Sequence, residues 1–161
     1  MDLSLFTRIF ARDLGSLRAE VLAYPDDASM WVLPDGAPNA GGTLVLHLCG
    51  NLRHFIGAGL GHSGYVRDRE AEFSTRGTSR AELAALVHIT AAEVSLALQH
   101  CDPARLEESM TVGPTTISVR TGLLHLAVHL GYHLGQLDYH RRIVTGDASG
   151  VGALAIQPLA G

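Results

Sequence analysis

Lysine is missing from this 161-residue chain, and all twelve of its basic residues are arginines, spread along the sequence without a cluster. Sixteen acidic residues bring the net charge to −4 with histidines neutral. Nucleic-acid affinity comes largely from neutralising phosphates, so a chain without a basic block is not expected to bind nucleic acid. Cysteine is scarce: Cys49 and Cys101 are the only two. A domain of this length needs no disulfide, so reduced thiols and a cytoplasmic location are expected. The N-terminal Met1–Arg8 stretch carries an early acid and no basic region before an apolar run, and does not read as a signal peptide. No apolar run is read as a membrane span, and no membrane partner is expected. A Ser-His-Asp order, a phosphate-binding glycine loop and a paired-carboxylate signature are all lacking.

What remains is 47% hydrophobic and 17% charged, the composition of a globular protein. Its length suits a single domain over residues 1–161 with a proper core. Four periodic segments are separated by Gly- and Pro-rich connections. The first spans about Leu3 to Ala23 and stops at Tyr24-Pro25. A turn-rich loop through Trp31, Pro34, Asp35-Gly36 and Pro38 leads to a second helix over about Thr43 to Leu60, with Thr43 as its N-cap. Residues 61–78 read as an ordered polar loop. Ser79 and Glu82 form a capping box that starts the third helix, which Asp102-Pro103 closes. Residues 104–117 are mixed, with a short hairpin-like excursion over Thr111–Ile117. The fourth helix runs from about Ser118 to Val144, with Arg141 and Arg142 in its last turn and Gly146 as its stop. The tail, 147–161, packs across the helices or against another subunit. The expected fold is all-α, an up-down four-helix bundle.

The fourth helix carries three histidines one turn apart: His125, His129 and His133 fall on a narrow stripe of one face. Apolar residues surround them, so this helix is expected to be buried nearly all round. Buried imidazoles need partners, and a divalent transition ion satisfies several at once. The second helix has its own inward polar line, His47, Asn51 and His54. One histidine from the second helix with an i, i+4 pair from the fourth is the simplest metal site. His54 shares a face with His47 and could replace it. His125 is either a fourth ligand or a polar group one turn above the site. Three imidazoles leave a coordination position open for water, a thiolate or a carbonyl oxygen, the catalytic rather than the structural pattern.

Three segments give the chain a family resemblance. They are Leu46-His47-Leu48-Cys49-Gly50-Asn51-Leu52, Arg67-Asp68-Arg69-Glu70-Ala71-Glu72-Phe73, and His129-Leu130-Gly131-Tyr132-His133-Leu134-Gly135-Gln136. The last looks like the His-x-x-x-His-x-Gly-Gln signature of the DinB-like (DinB/YfiT) superfamily of four-helix metal-dependent proteins, and the chain resembles an uncharacterised branch of it over roughly residues 3–145. The resemblance places the metal triad on His47, His129 and His133. It implies a divalent ion, nickel or zinc in many relatives, and a homodimer. It also implies a small-molecule substrate and a metal-dependent thiol S-transferase activity using a low-molecular-weight thiol. Such chemistry is sound, because coordination deprotonates a thiol. Two alternatives stand beside it: a non-catalytic metal-binding or stress-response protein, and a metal-free bundle whose histidines serve packing.

Other residues carry paired readings. Gln136 either orients an imidazole or bonds to backbone. Arg67 and Arg69 either bind an anionic group or lock the loop to Asp68, Glu70 or Glu72. Cys49 points to a different side of its helix from His47 and reads as packing. His62, His88, His100 and His140 read as surface or helix-end residues. No carboxylate is evident at the site.

Overall fold

Two of the four long helices are shaped by local signals that the sequence shows plainly. The computed structural model describes residues 2–160. Helix α1 spans Leu3–Ala23, capped by the Asp2 carboxylate on the Leu5 amide, and turns Phe6, Phe10, Leu14, Leu17 and Val21 into the core. Helix α4 spans Arg80–His100 behind the Ser79–Glu82 capping box. Contrary to the expectation that no segment suits a membrane span, α4 is long and apolar enough to cross one, by length and composition alone. In the fold it packs along α1, burying Leu83, Val87, Val94 and Leu98.

Helix α2 spans Gly41–Leu52 and continues as a wider π-helical turn over Arg53–Ala58. It begins two residues before the expected start, and Thr43 is not its cap; the Thr43 hydroxyl is buried without a partner. The first turn of α2 is held instead from α5, the helix over Val119–Thr145, by His140. Its Nε2 lies 2.9 Å from the Val32 carbonyl and 3.2 Å from the Gly41 amide, and its Nδ1 lies 2.7 Å from the Tyr24 hydroxyl. One nitrogen serves one partner at a time, so the neutral ring has two arrangements: Nε2–H donates to Val32 while Nδ1 accepts from Tyr24, or Nε2 accepts from the Gly41 amide while Nδ1–H donates to Tyr24. His140 is therefore not a surface residue. Periodicity shows a face but not what lies on it, and here the α1–α2 loop folds over the end of α5.

Burial lowers the pKa of His140 below the ordinary imidazole value. The unfolded chain then takes up its proton first, so this histidine's contribution is complete above about pH 6.5 and is lost as pH falls below that value. His140→Gln, which cannot titrate, is expected to be less stable than the native protein at pH 7.5, with the gap narrowing by pH 5. Urea midpoints of both proteins across that range check it, and a gap that widens on acidification would refute the assignment.

One feature of the polar loop was not expected. Residues 61–78 contain a short helix, α3, over Arg69–Ser74, capped by the Asp68 carboxylate on the Ala71 amide. The hairpin is real: β1 (Ser109–Val112) pairs antiparallel with β2 (Thr115–Ser118), Met110 opposite Ile117. With this small sheet included, the protein is mostly helical. Helix α2 packs on both α4 and α5, and α1 packs on the same two helices. The tail returns along α1 through a short turn at Gln157–Leu159.

Helix α5 is not buried all round. Leu123, Leu126, Leu130, Leu134 and Leu137 face the core, while Leu124, Val128, Tyr132, Tyr139 and Ile143 form an exposed apolar stripe. At its C-terminal end the Arg141 guanidinium is wholly buried, paired at 2.5 Å with the equally buried Glu20 of α1. Arg141 also reaches the Ser149 carbonyl at 2.6 Å, which ties the tail to the helix, and Gly146 stops α5 in the left-handed conformation.

Candidate metal centre

His47 of α2 meets His129 and His133 of α5 where these two helices pack together. One ligand atom from each lies within 4.8 Å of the others. His47 Nε2 and His129 Nε2 face each other at 3.2 Å. Two imidazole nitrogens on a tetrahedral ion with bonds of about 2.0–2.1 Å stand roughly 3.3 Å apart. Lone pairs aimed at each other across such a gap repel unless a proton or a cation lies between them.

The outer nitrogens show how the rings are held. His47 Nδ1 lies 3.0 Å from Glu72 Oε2, and His133 Nδ1 lies 2.6 Å from Gln136 Oε1. Each oxygen accepts a hydrogen bond from its Nδ1–H, which fixes the tautomer and leaves Nε2 free to ligate. His129 Nδ1 is buried with no partner. Gln136 is thus an orienting residue.

Glu72 was expected only as a candidate partner of Arg67 or Arg69, and its contact with His47 was not. It lies on α3, is almost fully buried, and supplies the carboxylate that was thought to be lacking. Arg67 grips both of its oxygens, Nε to Oε1 at 2.6 Å and Nη2 to Oε2 at 2.8 Å. This bidentate pair locks the loop and gives the buried carboxylate a partner beside His47. Room for it comes from Gly50, one turn below: a Cβ there would lie 2.7 Å from Glu72 Cδ. Arg69 takes no part and lies over the Phe73 ring.

Two open questions about the ligand set are answered by position. His54 lies beyond the change to π-helical bonding and is exposed, its ring against Phe55. His125 is exposed and its ring centroid is 6.2 Å from that of His129, one turn above the cluster. Asn51 lies on the inward face of α2, and its Oδ1 is buried without a partner.

Burial, reinforced by the neighbouring His133 and His47 rings, pushes the His129 pKa down to about 4, and burial lowers that of His47. Both are neutral at physiological pH, the form that binds metal. Cys49 is wholly buried, its thiol pushed up to about 12, and it offers no thiolate. A convergent three-imidazole donor set with two tautomers held by hydrogen bonds fits a divalent transition ion.

A family model described as "Protein of unknown function (DUF1572)" matches residues 11–155. The chain belongs to the DUF1572 family. No curated protein and no solved structure matches it. The DUF1572 match is consistent with a DinB-like fold, and it spans every element of the centre: α2, α3 and the histidine stretch of α5.

Proposed function

We propose that this DUF1572 protein is a DinB-like metalloprotein that holds a divalent ion, nickel or zinc, on His47, His129 and His133. The observation that carries this reading is the convergence of the three ligand atoms within 4.8 Å, with the outer nitrogens of His47 and His133 occupied by Glu72 and Gln136. The packing of α1 and α2 against α4 and α5 supports the up-down four-helix bundle that the motif resemblance implies.

The activity proposed is transfer of a low-molecular-weight thiol to an electrophilic small molecule. An ion held by three protein ligands keeps a position open and supplies Lewis acidity to a thiol bound there. The chain's own residues set the conditions. Glu72 and Gln136 hold His47 and His133 in ligating orientation, burial keeps His47 and His129 uncharged, and Arg67 pairs with Glu72. Neither cysteine is placed to be the nucleophile: Cys49 is buried away from solvent and Cys101 lies at the end of α4. The thiol must therefore come from solution.

The test uses purified protein, metal-loaded and chelator-stripped, assayed with a panel of low-molecular-weight thiols and a monohalogenated bimane or dinitrobenzene acceptor, with metal content read by elemental analysis. About one ion per chain and conjugation only in the loaded form are expected. One ion without turnover favours the metal-binding, non-catalytic reading. No ion at all removes both.

A further inference from the structure

A cavity of about 530 Å³ adjoins the metal centre, and nothing so far uses it. Its volume is in the range of small-molecule sites. One wall is the α1–α2 loop from Pro34 to Asn39, and the other is the face of α5 that carries Tyr132, His133, Gln136, Tyr139 and Ile143. Two of these residues belong to both places: His133, from the ligand cluster, and Gln136, which holds its Nδ1. The cavity therefore begins where the proposed coordination site ends.

The loop wall is built in advance of any ligand. The Ala37 amide donates to the Pro34 carbonyl at 2.9 Å, closing a turn whose third residue, Gly36, has φ +79°, a conformation that glycine adopts without strain. The stem of this loop is pinned by His140 through Val32 or Gly41, according to the tautomer. Less ordering is then required on binding.

The chemistry of the lining selects a ligand class. Leu44, Ile143 and two tyrosine rings make the walls apolar and aromatic. The amides of Asn39 and Gln136 offer neutral hydrogen-bonding groups. No arginine lines the cavity, and its one carboxylate is Asp35. Among the side chains that line the cavity an anion meets no cationic group and one carboxylate, Asp35, whereas a neutral ring meets the side chains of Tyr132 and Tyr139. We infer that this cavity receives an uncharged, ring-bearing apolar portion of the substrate, whose reacting end extends past His133 to the metal centre. The inference rests on the metal reading for its second half only.

Two-dimensional NMR of the side-chain amides tests it on the full chain, metal-free and metal-loaded. Benzyl alcohol is expected to shift the Asn39 and Gln136 amide signals saturably in both forms, with benzoate at least about tenfold weaker. Tyr139→Ala is expected to weaken benzyl alcohol about threefold or more, and Asp35→Asn to recover part of the benzoate affinity. Tyr139 and Asp35 are both exposed, so neither change threatens the core. Absence of saturable shifts, or equal affinity for benzoate, overturns the inference. Titration with zinc in the same samples reads the His129 and His133 ring protons separately. Ring shifts without benzyl alcohol binding leave the metal reading standing and the cavity refuted, and the reverse pattern does the opposite.

Discussion

Arg141→Ala is expected to cost about 3–5 kcal/mol of stability, the usual effect of removing one partner from a buried ion pair. Arg141 and Glu20 are both shut off from solvent, and the Glu20 carboxyl is already pushed up by that burial. Without the guanidinium, Glu20 must either stay charged in an apolar setting or take up a proton. The Ser149 carbonyl also loses its donor, so the tail is released from the end of α5. For a domain of this size the melting temperature should fall by roughly 6–20 °C. The double variant Glu20→Leu/Arg141→Met removes both charges and keeps the volume, and it should recover most of the loss. Urea denaturation of the two variants measures both. A single variant within about 1 kcal/mol of the native protein would show that the pair is not the anchor described above.

At the metal centre, Gly50→Ala is expected to weaken metal binding about 10–100-fold, with a net stability loss of about 0–2 kcal/mol. The new Cβ occupies the place of the Glu72 carboxylate, which swings away because it ends a flexible side chain. His47 Nδ1 and Arg67 then lose their shared partner. The lost pairing costs about 1–3 kcal/mol, and alanine in place of a helical glycine returns roughly 1. Ion affinity by competition with a chromophoric chelator, beside His129→Ala as the reference for a lost ligand, separates orientation from ligation. Native affinity in the Gly50 variant would show that Glu72 has no part in positioning His47.

The contrast between His129 and Glu72 shows what a sequence can and cannot disclose. His129 and His133 are one turn apart on a single helix, so local geometry alone puts them on one face. His47 was reached through its inward position on another helix and a motif match. The pairing of Arg67 and Glu72 lies within a segment whose resemblance was noticed, yet its helical end was read as loop. α3 has only six residues, too short for a periodic pattern to show. Gly50 was the available signal: a glycine within an apolar helix implies a close approach by something, though not by what. His140 was misplaced for the same reason, since its partners Tyr24 and Val32 come from over one hundred residues away in the chain. The capping box of α4 was legible because Ser79 and Glu82 lie three residues apart.

The single tryptophan has a use that its placement confers. Trp31 lies on Gly42, where a Cβ would come within 2.5 Å of the indole ring, and its Nε1 donates to the Thr78 carbonyl at 3.0 Å, just ahead of α4. One chromophore thus touches three separate stretches of backbone: its own loop, the start of α2 and the approach to α4. Its emission spectrum serves as a built-in strain gauge for whether those stretches remain docked, readable without any label.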